Sequence, residues 1–181
     1  MLFRSYGKLD RLLDTDPLIF GGHMIDCVGL TESTWAEPPA KFEAGTLPIV
    51  QAIGLGTAVE FVESVGIEAV ASHEHELMTT AIDALGEVPG LRVLGPAADA
   101  GPRGAIVSFT LEGAAAEDIA RLLDRRNVFV RHGHHCTMPL HDEIGVMASV
   151  RASFAMYNTV ADIESLVDGL HYVRQRLRLD R

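Results

Sequence analysis

The sequence predicts an α+β fold, a mostly antiparallel sheet with helices on one face. Three observations carry this. Helical periodicity starts at Ile49 and runs through two successive segments. A β-β-α-β-β-α order of shorter segments follows. Residues 1–48 show neither period: short apolar runs are broken at Asp16-Pro17, Gly21-Gly22 and Pro38-Pro39. That stretch reads as a connector, the tail of another element, and residues 49–181 read as the domain proper.

Ile49, Ala52, Ile53, Ala58, Val59 and Val62 mark a first helix that Gly66 closes. Ile67 to Leu85 is a second, ended by Gly86 and Pro89. Leu91–Leu94 and Ala105–Leu111 are strand segments, the latter rich in β-favouring residues. Ala114–Asn127 is helical, with Ile119, Leu122 and Leu123 on one face. Val128–Val130 and Val150–Met156 are two more strands. Asn158-Thr159 supplies an N-cap for a long amphipathic helix, Val160–Leu179.

Composition narrows the function classes. With 181 residues, 48% hydrophobic and 22% charged, the chain is long and apolar enough for one real core. A net charge of -10 argues against a nucleic-acid partner, which selects for a basic face, and against a polybasic membrane anchor. No apolar run reaches the ~18–20 residues that span a bilayer. Arg4, Lys8, Asp10 and Arg11 interrupt the start, unlike a signal peptide. A cytoplasmic location is the expectation, with both cysteines, Cys27 and Cys136, reduced. Cys27 reads as a small buried hydrophobe.

Chemistry concentrates in Arg131-His132-Gly133-His134-His135-Cys136-Thr137-Met138-Pro139, directly after a strand segment. Three histidines and an arginine crowd one cysteine. A thiolate is the nucleophilic form, and nearby positive charge from Arg131 or a protonated histidine favours it. The same crowding is compatible with a metal site, although structural zinc usually draws on two separated ligand pairs, or with nothing special. His73 and His75 lie on a helix segment and read as solvent-facing. Phe42-Glu43-Ala44-Gly45-Thr46 precedes the Ile49 helix; such a turn offers a hydroxyl and N–H groups to a phosphate, or is a simple cap. Arg151, in an apolar strand, either pairs with an internal carboxylate or grips a substrate carboxylate bidentately.

Taken with Gly21-Gly22-His23-Met24-Ile25, with Gly54-Leu55-Gly56, and with Arg151 through Thr159, these segments resemble the class V aminotransferase superfamily. Within it they resemble the SufS-type (type II) cysteine desulfurases and selenocysteine lyases. The resemblance runs through essentially the whole chain, and its most specific part is Arg-x-Gly-His-His-Cys-x-Met-Pro. It implies the C-terminal small domain of a fold-type I enzyme that uses pyridoxal 5'-phosphate (PLP). Residues 1–48 would then be the connector and tail of a large PLP domain.

Residue roles follow by position. Cys136 matches the nucleophile that accepts sulfur from L-cysteine, or selenium from selenocysteine, as a persulfide for iron-sulfur cluster assembly. Arg151 matches the substrate-carboxylate arginine, and Arg131 a second substrate-binding arginine. Thr46 matches a residue reaching the PLP phosphate of the neighbouring subunit in a homodimer. His134 and His135 match loop-supporting histidines. A SufE/SufU-type acceptor would collect the sulfur. No metal, nucleic acid or membrane is implied.

Two departures accompany the resemblance. The family's Schiff-base lysine has no counterpart: the chain's two lysines, Lys8 and Lys41, stand in other contexts. Leu47 replaces the proline that commonly follows the Gly-Thr pair. The sequence therefore leads to the C-terminal part of a desulfurase, inactive without its N-terminal domain. The alternatives are a stand-alone sulfur-carrier or interaction domain and a small metal-binding protein.

Overall fold

The structure, a computed structural model, describes residues 6–96, 101 and 103–179. Arg4 and the rest of the first five residues, within the stretch read as a connector, lie outside the described residues. Two compact units are present, Met1–Ser64 and Val65–Arg181, so the division falls at the end of the first long helix, whereas the sequence reading drew it between 48 and 49.

In the first unit, a short helix α1 (Leu9–Asp14) leads to a two-stranded antiparallel ribbon, β1 (Ile25–Val28) and β2 (Ser33–Trp35). Neither element was expected in a stretch without periodicity. Phe20 stacks on Trp35 with ring centroids 5.0 Å apart, and Met24 is fully buried. Helix α2 spans Ile49–Val65 and has no buried residue at all. Cys27 is exposed, against expectation. It lies in β1, opposite Thr34, and a two-stranded ribbon has no layer with which to bury a face.

The second unit opens with α3 (Ile67–Gly86). Gly66, at φ +93, breaks the helical path before it, a conformation glycine adopts without a Cβ penalty. Strands β3 (Leu91–Leu94) and β4 (Ile106–Leu111), helix α4 (Ala116–Asp124), strand β5 (Arg131–Gly133), helix α5 (Met138–Glu143), strand β6 (Ser149–Ser153) and helix α6 (Val160–Leu177) follow. The sheet is antiparallel throughout, in the order β3-β4-β6-β5.

Strand alternation sorts the side chains. Val107, Phe109 and Leu111 of β4 and Val150 and Ala152 of β6 point one way, into a core closed by Leu77, Leu85, Leu123 and Leu170 of α3, α4 and α6. The intervening Ser108 and Arg151 are paired across the sheet on the other side. The expected layering, with the three long helices on one face, is what the chain forms.

Two local expectations shift. The strand expected at Val128–Val130 forms instead at Arg131–Gly133, because apolar residues ahead of it turn onto the core from irregular backbone. The loop after Gly133 contains a helix, α5, where only irregular chain was expected. Among the described residues no single helix is long and apolar enough to cross a membrane.

Candidate functional site

Because β5 begins at Arg131, the first residue of the chemistry-rich segment is in the sheet, not in a loop. Its register sets Arg131 directly opposite Arg151 in β6, on the face away from the long helices. Like charges facing across a ladder are unfavourable. Among the described residues neither guanidinium forms an ion pair; those present join Arg11 to Asp10 and Arg121 to Asp118. The internal carboxylate offered as one partner for Arg151 is therefore not found. The Nε of Arg151 is buried without a hydrogen-bond partner. A buried, unanswered donor on a cation is costly, and an anion brought by a ligand would remove that cost.

Past Gly133, itself at φ +115, two consecutive non-glycine residues occupy the left-handed region, His135 at φ +51 and Cys136 at φ +62. Each costs on the order of 1–3 kcal/mol unless its surroundings hold it. The holding groups are visible. Thr137 donates its N–H (2.8 Å) and its hydroxyl (2.7 Å) to the His134 carbonyl, closing the turn. His135 Nε2 lies 3.2 Å from the Ser149 carbonyl, so it donates there. Cys136, at the apex, is exposed.

His135 is held below its ordinary pKa of 6.5, chiefly by burial. The bond to Ser149 opposes this, while the charges of Arg151, His141 and Arg131 add to it. His135 is thus neutral at neutral pH and supplies no positive charge to the loop. The nearby permanent cations are the two arginines.

The sequence reading missed two residues here. His141, on α5, and Ser149, at the start of β6, are both buried and are joined at 2.9 Å. The His141 ring also meets His134 edge-on, with centroids 5.6 Å apart. A buried histidine beyond the motif has no signature of its own; only its contacts mark it. His73, expected to face solvent, is half-buried, with Nε2 2.9 Å from the Asn158 carbonyl, while His75 is exposed. The described residues contain no cluster of three or more His, Cys, Asp or Glu side chains arranged to hold a metal ion.

The remaining site residue, Thr46, belongs to the first unit. Its turn is fixed where the Gly45 N–H donates to the Gly22 carbonyl at 2.8 Å, with Gly45 at φ +79. A Cβ on Gly21 would sit 3.2 Å from the Ala44 side chain, so these two glycine segments pack closely. Thr46 itself is exposed just ahead of α2. Lys41 donates its ammonium to the Leu13 carbonyl at 2.9 Å and lies over the Phe42 ring, and Lys8 is exposed beside α1. Of the chain's two lysines, Lys8 is therefore exposed and Lys41 is engaged with a backbone carbonyl.

Residues 5–166 match the protein family Aminotransferase class-V. The chain is 45% identical over 169 residues to a probable cysteine desulfurase of Streptomyces coelicolor, covering 93% of this chain and 40% of that protein. With a probable cysteine desulfurase of Halalkalibacterium halodurans it shares 46% identity over 170 residues, covering 94% and 41%. The crystal structure of the cysteine desulfurase CsdA from Escherichia coli superposes with a TM-score of 0.85 at 33% identity, over 94% of this chain and 41% of that one. The apo cysteine desulfurase of Thermococcus onnurineus gives 0.86 at 32% identity, over 93% and 42%. The chain thus spans about two fifths of the length of these relatives. By the match across residues 5–166, it belongs to the class V aminotransferase family.

Proposed function

We propose that this chain is the C-terminal part of a PLP-dependent cysteine desulfurase, and that Cys136 accepts sulfur from L-cysteine as a persulfide. One arrangement carries the reading. An exposed cysteine is held on a left-handed turn at the end of β5, and the neighbouring strand presents Arg151, whose buried Nε lacks an acceptor. The carboxylate of an amino acid substrate is the acceptor that this donor lacks. Arg131, opposite Arg151, adds a second cation for the same anion.

In the complete enzyme, bound PLP would supply the electron sink that lets the C–S bond of cysteine break. Thr46 would donate its hydroxyl to the cofactor phosphate, from a neighbouring subunit in a homodimer. The Cys136 thiolate attacks the substrate sulfur: an S–S bond forms, the C–S bond breaks with its electron pair staying on carbon, and alanine leaves after protonation. Transfer to an acceptor protein of the SufE/SufU type proceeds by attack of the acceptor thiolate on the outer sulfur. Selenocysteine would fit the same site, since selenium differs from sulfur little in size. The setting is the cytoplasm and the product serves iron-sulfur cluster assembly.

Since no lysine of this chain is placed for the cofactor, activity requires the N-terminal portion that the longer relatives carry. Residues 1–48 are then the tail of the large PLP domain and 49–181 the small domain. The exposed apolar surface of α2 supports the need for a further covering portion, because a helix that is apolar all round is ordinarily enclosed.

The test is complementation. The chain is mixed with a separately produced N-terminal portion of a relative, PLP and L-cysteine, and both alanine and the mass of the Cys136 peptide are measured. Alanine release, with one added sulfur on that peptide, is the expected outcome, and Cys136→Ser abolishes both. Alanine released by the chain alone would overturn the need for a second portion. Added sulfur on Cys136 from an unrelated persulfide donor, with no alanine in the mixture, would favour the carrier domain instead.

A further inference from the structure

Ser149 occupies a junction. It is the first residue of β6, pairs with Gly133 at the end of β5, and is 1% exposed. Strand alternation turns its side chain away from the long helices, toward the face that carries Arg151. There its hydroxyl meets Nε2 of His141, which is itself 4% exposed.

The direction of each bond follows from the partners. His141 Nδ1 lies 3.0 Å from the Thr137 carbonyl, which can only accept, so Nδ1 carries the proton. Nε2 and the Ser149 hydroxyl then complete the bond on the other side of the ring, the hydroxyl donating to a neutral imidazole or accepting from a protonated one. Meanwhile the Ser149 carbonyl accepts from His135 on the other side of the turn. Residue 135 and residue 137, the two neighbours of Cys136, are therefore both tied to Ser149, one directly and one through the His141 ring.

We infer that His141 and Ser149 are positioning residues for Cys136: their buried hydrogen bond braces the Thr137 side of the turn, as the Ser149 carbonyl braces His135, and so keeps the thiol at its exposed apex. The inference rests on Cys136 being the reactive thiol only for its importance to catalysis. The geometry it asserts can be tested separately. Histidine enters the left-handed region more readily than most residues and Thr137 closes the turn onto the His134 carbonyl, but Cys136 has no such preference, so further restraint from outside the turn is needed. Loss of the Ser149 hydroxyl frees the His141 ring that is bonded to Thr137, while the Ser149 carbonyl still holds His135, so the turn loosens on its Thr137 side.

A nitroxide label on Cys136, in the full chain carrying Cys27→Ser, reads this by electron paramagnetic resonance. Ser149→Ala is expected to shorten the label's rotational correlation time roughly twofold or more, since local opening frees the backbone on the nanosecond scale. Ser149→Thr, which keeps the hydroxyl, is expected to restore the slower spectrum. A Ser149→Ala spectrum superimposable on the parent overturns the inference, and so does a Ser149→Thr spectrum as fast as that of Ser149→Ala. Should Ser149→Ala fail to fold, His141→Phe keeps the ring volume and removes both nitrogens. A faster label with unchanged thermal unfolding then supports the inference, and an unchanged label overturns it. These spectra do not depend on sulfur transfer, so failure here leaves the persulfide test intact, and the reverse holds as well.

Discussion

The two units use apolar residues in opposite ways. In Val65–Arg181, alternating strands and amphipathic helices turn Phe109, Leu85, Leu123, Ile163 and Leu170 into a closed core. Across the first unit and the helix that ends it, Leu18 is 94% exposed and Val50 79%, and Ile53, Val59 and Phe61 are exposed along α2. Composition does not separate them; patterning does. The second unit's elements each have one apolar face, which a single opposing layer satisfies. Helix α2 is apolar around its circumference and needs cover on several sides, which a ribbon and a six-residue helix cannot provide. A chain can thus contain one unit that closes on itself and another whose sequence is written for neighbours it does not itself include.

Core truncation tests the contrast most severely. Phe109→Ala should destabilise the chain by about 3–5 kcal/mol, because a fully buried aromatic leaves a cavity. Val50→Ala should change stability by no more than about 0.5 kcal/mol. Urea unfolding followed by circular dichroism measures both, and equal costs would erase the distinction between the units.

Glycine replacement sharpens it with a change of sign. A Cβ on Gly169, in α6, would meet Leu123 Cδ2 at 2.6 Å, so Gly169→Ala overpacks the core at a cost of about 1–3 kcal/mol. In α2 nothing lies within 4 Å of a Cβ built on Gly54 or Gly56. Gly54→Ala should therefore stabilise the isolated chain by up to about 1 kcal/mol through helix propensity. The same substitution should weaken complementation by an N-terminal portion if that portion packs against α2. Thermal melts and titration calorimetry separate the two effects.

The smallest effect is in pH. Asp162 accepts from the Thr159 N–H at 2.8 Å and from the Asn158 amide at 3.3 Å, and the first of these chiefly holds its carboxyl below the ordinary 3.8. Its contribution is present above pH 3.8 and is lost as pH falls through the lowered value. The unfolded chain binds a proton more readily than folded His135 as well, so that contribution is full above pH 6.5 and declines as pH falls below it. Unfolding midpoints measured from pH 8 to pH 3 should fall first near neutrality and again in acid. Asp162→Asn should remove only the acid step.

How much was legible beforehand depended on the range of the interaction. Period-3.6 patterns placed α3 and α6 to within a few residues, since a helix is written in contacts three and four apart. The β3–β4 pair was legible for a similar reason, short alternating runs bounded by turn residues. The hairpin β1–β2 was not, because its exposed strands carry no alternation of burial. Strand β5 was misplaced because Val128 and Val130 are apolar for the sake of the core, not of a ladder. At the site, the motif around Cys136 announced the thiol and the two arginines individually. It did not announce that Arg131 faces Arg151, which is a matter of register between two strands distant in sequence.

By itself the sequence determined the long helices α3 and α6, the β3–β4 pair, the α+β class, and the residue types that make the Cys136 segment chemically unusual. Local propensity and apolar period suffice for those. Only the tertiary structure decided that Cys27 is exposed, that His135 and Cys136 take left-handed backbone, that Arg151 has an unanswered buried donor, and that His141 reaches Ser149. Each of these depends on which distant residues fill the space around a group, and burial and hydrogen-bond satisfaction are properties of that space rather than of the chain.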